Sequence, residues 1–296
     1  MPTRKTALLS LYIGIFLMST TGLFAKAIAL DATSITQLRS VAAAIALAAF
    51  CGLRSDAIRL GSYKEVLGVY GLGICMGIHW VTYFQSMQVS TVAIGMLSLF
   101  SYPVITVLLE PLFHGSAPKL RDIIAAIILF AGVIIMTLDG LDHPSNAALQ
   151  GALWGLVSAF FFSIRNILQK YRYAHIPSGT LMFHQVVIVA LSLLFFIDFP
   201  KVANLTLNNW ALIIALGLLC SAGAHTLLAL SLKGLPAKSV ALISCLQPVI
   251  GSSLAWIILQ ESISLPVFIG GSVVISVAAF ESYWQARKAN TVEISN

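Results

Sequence analysis

His79, Trp80 and Tyr83 fall within little more than one turn of a long apolar run. Residues four apart share a helical face, so the imidazole and the phenol project together with the indole beside them. Such a group can hold a small organic solute by hydrogen bonding and stacking. The alternative is a structural histidine bonded to a neighbouring helix, with Trp80 packed toward lipid. His225, Arg39 and His184 sit in three further apolar runs. The Arg39 guanidinium can receive a substrate carboxylate through its fork of donors; equally, it can snorkel to the outer surface or tie its helix to a loop carbonyl. Pro103 and Pro248 interrupt two more runs, and each frees a backbone carbonyl. Ser98, Ser101 and Tyr102 precede the first, Ser244 and Gln247 the second. A bend that only shapes the bundle is the simpler reading of both. Ser19, Thr20, Thr21 and Ser163 add hydroxyls to the candidate lining.

These residues do not make a catalytic set. The chain has no His-Glu-x-x-His and no Gly-x-Ser-x-Gly, and no acid stands beside these histidines in sequence. No catalytic residue, metal ligand or cofactor is assigned, and an intramembrane enzyme is the disfavoured class. Cys51, Cys75, Cys220 and Cys245 are scattered through apolar runs without metal-type spacing and read as packing residues. Carboxylates avoid the centres of the runs. Glu110 stands near a run's end, where Lys119 or Arg121 can pair with it; Glu281, Arg165 and Lys170 read as snorkelling groups near helix ends. Without a central acid, proton coupling would fall to His79 or His225, and facilitated diffusion fits as well.

The elements that position these residues follow from composition. Of 296 residues, 58% are hydrophobic and 9% charged, with mean hydropathy +0.93. Ordinary soluble domains carry about 25% charged residues, so hydrocarbon must face most of this chain. A membrane helix needs about 20 mainly apolar residues. Ten stretches qualify: 7–29, 33–52, 65–88, 91–113, 119–138, 149–171, 178–198, 208–232, 237–259 and 265–285. The fold expected is therefore an all-α membrane protein of ten spans. The first stretch is too long for a signal peptide and leads straight into others. With the N-terminus in the cytoplasm, fourteen Lys and Arg fall on that side, while Lys26, Arg39 and Lys201 fall on the other. This bias predicts both termini inside, and it accounts for the net charge of +6 without a nucleic-acid partner.

An internal repeat organises the spans. His79-Trp80 leads through 89–93 to Tyr102-Pro103-Val104-Ile105; Ala224-His225 leads through 234–239 to Gln247-Pro248-Val249-Ile250, 145 residues on. Lys26 and Thr36 have counterparts in Lys170 and Thr180 at an offset of 144. Residues 1–145 and 146–296 are thus two halves of five spans each. An odd number forces the second half to enter the membrane upside down, an architecture that recurs in secondary transporters.

With its 5+5 spans and a short polar link before each Pro-containing fourth or ninth span, the chain resembles the drug/metabolite transporter superfamily, in its EamA-type branch. The resemblance implies a basket of helices around a central cavity and the export or exchange of amino acids, metabolites or drugs. It also implies a glutamate ending the fourth and ninth spans. Glu261 matches, whereas the first-half position falls near Gly115 or Ser116, with Glu110 six residues away. The expectation is an inner-membrane exporter or exchanger of small metabolites such as amino acids, working by alternating access. A proton-coupled exporter of drugs or toxic compounds is the alternative. Solute and lipid bilayer are the implied partners, with a homodimer left open. The nine residues after Arg287 leave little room for signalling.

Overall fold

The computed structural model describes residues 4–53, 59–115, 117–139, 143–173, 175–234 and 243–294. Apart from one two-residue antiparallel pairing, Leu138–Asp139 with His143–Pro144, the regular structure among them is helical. In chain order the helices are α1 (Arg4–Ser19), α2 (Thr21–Ala27), α3 (Ala32–Leu53), α4 (Tyr63–Val89), α5 (Val92–Leu99), α6 (Tyr102–Leu109) and α7 (Leu120–Met136). There follow α8 (Asn146–Arg172), α9 (Ser178–Ser192), α10 (Phe199–Ala203), α11 (Leu207–Ala215), α12 (Ala224–Gly234), α13 (Leu246–Ile258) and α14 (Leu265–Ile294). Each of the ten predicted stretches carries helix among the described residues. Among the described residues, six helices are long and apolar enough to cross a membrane, and three more apolar helices are shorter. The predicted link 235–239 and the side chains of Lys170 and Glu281 lie outside the described residues.

Polarity is inverted relative to a soluble protein. On α7, Ile123, Ile124, Ile127, Ile128 and Ile134 face outward, while Ala125, Ala126, Leu129, Gly132 and Val133 are buried. Buried polar side chains, including Arg39, His79, Ser158, Arg165 and Gln185, occupy the interior. Hydrocarbon outside leaves no hydrophobic drive between helices, so close packing through small residues holds them together. Where α7 crosses α14, a Cβ on Gly270 would lie 2.3 Å from the Gly132 carbonyl oxygen. Only glycine fits there.

The contacts exchange under the sequence repeat. α4 packs on α8 as α12 packs on α1, and α4 on α9 as the segment before α12 packs on α3. Equivalent stretches also meet each other, α3 with α9 and α7 with α14, and they run antiparallel where they touch. Asp198 N donates to Ser34 Oγ at 3.1 Å and Gln37 Nε2 to the Ala190 oxygen at 3.3 Å, while Gly179 lies beside Cys51. As the number rises along α3, its partner's falls.

Three stretches predicted as single helices are broken. The first divides at Thr20 into α1 and α2. The fourth divides at Phe100–Ser101 into α5 and α6, with Pro103 in the first turn of α6, and ends in a 3₁₀ turn, Glu110–His114. The ninth has a turn at Cys245, just before Gln247 and Pro248. The eighth carries π-helix over Leu216–Gly223, between α11 and α12. No proline marks that segment, and α4, its counterpart, is regular.

Candidate functional site

The site is built outward from α4, whose two neighbouring rings point in different directions. His79, 5% exposed, faces α8. Its Nδ1 lies 2.7 Å from Ser158 Oγ, and Ser158 Oγ donates its proton to the His79 carbonyl at 3.0 Å. One hydroxyl has one proton, so with that proton on the carbonyl Nδ1 carries the hydrogen in this contact; in the neutral ring Nε2 is then the acceptor. The His79 ring stacks on Phe162 at 4.6 Å and lies 6.1 Å from Tyr83; Phe162 meets Tyr102 edge-on at 4.9 Å. A continuous aromatic file thus joins α4, α8 and α6. The backbone oxygen of Tyr102 accepts from Ser163 Oγ and Thr106 Oγ1. The Tyr83 hydroxyl is buried without a partner.

Trp80 is buried at 3% exposure, so its lipid-facing reading is overturned. The Arg39 guanidinium from α3 lies 4.1 Å above its ring and 5.0 Å from that of Phe84, and His225 from α12 stands 6.0 Å from it. Arg39 is 2% exposed, which excludes snorkelling. Its Nε donates to Ser221 Oγ at 3.1 Å. Ser221 belongs to the π segment and bonds back to the Leu216 oxygen, five residues earlier. Gly217 in the same segment admits α3 closely, since a Cβ there would sit 2.8 Å from the Arg39 oxygen. The wide π turn thereby delivers Ser221 to the guanidinium.

A third cluster corrects the reading of Arg165. It lies six residues from its predicted stretch's end, yet is 8% exposed; its Nε donates to Gln185 Oε1 at 2.9 Å and its Nη1 to Asn166 Oδ1 at 3.0 Å. Gln185 on α9 captures a side chain that would otherwise reach for the membrane surface. With Arg165 and Arg39 both interior, the charge bias that set the orientation becomes thirteen against two and keeps its sign.

The remaining candidates scatter. His184 packs with Tyr70 and Phe183; Tyr70 lies nine residues before His79, about 13 Å along α4, so His184 does not join Arg39. Ser98 is buried against Gly155 with its hydroxyl unpartnered. The Gln247 oxygen accepts from Ser19 Oγ at 3.2 Å, while Thr20 and Thr21 bond the oxygens of Leu17 and Met18. Ser19 thus reaches across to the ninth stretch, whereas Thr20 and Thr21 bond back within their own turn. The four cysteines are unbridged. Glu110 accepts from Tyr171 Oη, and Arg121 pairs with Asp122 at 3.1 Å. Glu261 accepts from Val92 N at 2.9 Å and lies 3.6 Å from Lys26 Nζ, which donates to the Ser90 oxygen. Glu261 thus clamps the α4–α5 turn to the end of the ninth stretch. Sequence reasoning missed Ser158, Phe162, Gln185 and Ser221; only the deep position of Arg165 signalled that partners must exist.

Buried polar clusters inside helices with apolar exteriors define a multi-pass membrane protein. Residues 5–138 and 149–282 each match the model of the EamA-like transporter family. The chain belongs to this family of membrane transporters. The two matches begin 144 residues apart and end 144 apart, the offset read from Lys26 and Lys170. The chain is 24% identical over 250 residues to the uncharacterized transporter YxxF of Bacillus subtilis, covering 83% of this chain and 80% of that one. It is 23% identical over 261 residues to an uncharacterized transporter of Archaeoglobus fulgidus, with 88% and 90% covered. One solved crystal structure superposes with a TM-score of 0.64 at 19% identity, over 96% of this chain and 99% of that one. That likeness concerns the fold alone.

Proposed function

We propose that the chain is a secondary transporter of small metabolites, amino acids among them, in the inner membrane. It crosses the bilayer ten times as two inverted five-span halves, with both termini in the cytoplasm. Solute binds between the halves, against His79 and Tyr83 on one side of α4 and Trp80, Arg39 and His225 on the other. Alternating access arises when the halves exchange conformations. One observation carries this reading: repeat-equivalent helices pack antiparallel, and the buried imidazoles and guanidiniums lie where the halves meet. An ionisable group in hydrocarbon costs about 2.5–3.5 kcal/mol for Arg or Lys on insertion scales, so such residues are retained for use.

Export of drugs driven by protons is the second reading, favoured by the aromatic file Tyr83–His79–Phe162–Tyr102. Reconstitution of purified protein into liposomes tests both. Uptake of labelled metabolites above that of empty liposomes supports the first, and an imposed pH gradient separates coupled from uncoupled flux. Empty-liposome rates across a broad panel would defeat transport altogether.

A further inference from the structure

Arg39 and Arg165 are both more than nine-tenths buried, and both have only neutral partners. Arg39 has Ser221 Oγ and the faces of Trp80 and Phe84; its Nη1 is buried with no hydrogen-bond partner. Arg165 has the amide oxygens of Gln185 and Asn166. Among the described residues, neither guanidinium pairs with a carboxylate: Glu65, Asp122, Asp198 and Glu261 form their ion pairs with other residues. Guanidiniums stay protonated under all ordinary conditions. Among the described residues, therefore, these two buried positive charges have no carboxylate beside them; Asp122, also buried, is taken by Arg121.

Unpartnered polar atoms accompany the two charges. Gln185 uses Oε1 on Arg165, leaving its Nε2 donors buried and unused. Tyr83 Oη is likewise unpartnered, and Tyr83 stands one turn on from Trp80, the ring that Arg39 covers. Both guanidiniums lie along α4: Arg39 covers Trp80, and Gln185, the partner of Arg165, packs its backbone against Gly73, seven residues and about 10 Å earlier on that helix. Buried charge without a counter-charge is costly, and a solute that brings the missing charge removes that cost on binding.

We propose that the solute is an organic dianion of the dicarboxylate class, with one carboxylate on Arg39 Nη1 and Tyr83 Oη and the other on Arg165 and Gln185 Nε2. This rests on the transporter reading and narrows it: a zwitterion neutralises neither guanidinium in net charge, and a cation adds a third positive charge. The aromatic faces between the two ends accept the carbon chain.

The test is counterflow in liposomes carrying the full chain. Labelled succinate is supplied outside, against unlabelled succinate, lactate, alanine or putrescine inside; labelled alanine and labelled putrescine are run in parallel. Succinate should accumulate best against internal succinate. Arg39→Gln and Arg165→Gln should each lower its flux on the order of thirtyfold or more, with part of the activity kept in Arg39→Lys. Succinate should also raise the melting temperature of the wild-type protein where putrescine does not, a readout that needs no variant to fold. Exchange of alanine or putrescine with succinate inert would overturn the dianion assignment and leave transport standing. No flux of any solute and no succinate shift would sink both.

Discussion

Ser158 Oγ donates to the carbonyl of His79 at 3.0 Å, and Gly14 stands in the matching relation to the carbonyl of Ala224, where an added Cβ would lie 3.3 Å from the oxygen. Gly14 and Ser158 are 144 residues apart, His79 and Ala224 145. The same helix crossing thus occurs twice, once furnished with a hydroxyl and an imidazole and once bare. Chemistry has been placed in one copy of a duplicated frame.

Ser158→Gly should convert the furnished crossing into the bare one. The loss is the His79–Ser158 hydrogen bonding, about 1 kcal/mol of stability, with backbone packing kept. Freed of its fixed tautomer, His79 should bind solute less well, and the Michaelis constant should rise more than the turnover falls. His79→Ala should lower flux in proteoliposomes while leaving membrane insertion intact. Unchanged flux in His79→Ala would remove His79 from the pathway.

The Lys26–Glu261 pair joins α2 of one half to the segment following α13 of the other. It is partly exposed, so its charge contribution is small, below about 1 kcal/mol. Glu261 also accepts from Val92 N, at the start of α5. Glu261→Gln should therefore loosen the clamp mildly, and Glu261→Ala more, by stripping the cap. The readout is thiol labelling of a cysteine introduced at Val92. Equal labelling in wild type and both variants would show that this contact does not restrain the end of the bundle.

Gly270→Ala should cost about 1–3 kcal/mol, as overpacking does, because its neighbour at 2.3 Å is a backbone oxygen that cannot move aside alone. Gly71→Ala is the control, with nothing within 4 Å of the added carbon. Melting followed by size-exclusion chromatography should separate the two variants; coincident curves would contradict the α7–α14 crossing.

Outside the spans, the α10 turn should be insensitive to pH over a wide range. Hydrogen bonding to Lys201 holds the Asp198 carboxyl below its ordinary pKa, and Asp198 raises that of Lys201. A depressed carboxyl contributes above its unfolded pKa and is lost only as pH falls through the lower folded value. A raised amine contributes below its unfolded pKa and is lost as pH rises through the higher folded value. Amide exchange over 198–204, corrected for intrinsic rates, should match at about pH 5 and about pH 9. A difference would mean another titrating group controls this turn.

Hydropathy made the ten stretches and their repeat legible, because in lipid an apolar run of sufficient length has few alternatives. It could not reveal which side chains meet. Arg165 illustrates the reason: a cation six residues from a run's end can reach the surface or turn inward, and only Gln185, on another helix, decides. Trp80 is similar, since an indole suits lipid and interior alike until Arg39 lies across it. The π segment was not legible because Leu216–Gly223 is apolar and glycine-containing like regular α4, and its winding is set by the neighbours it must reach.

That winding has a consequence for everything downstream. Rewound as ordinary α-helix, the segment would change the phase of α12 by about 100° for each residue taken back into register, and His225 would swing away from Trp80 as Ser221 left Arg39. Ring and guanidinium are thus geared to a single irregular coil present in one half alone. On the alternating-access reading proposed above, the two facing states would then differ in energy, the irregular coil favouring one of them.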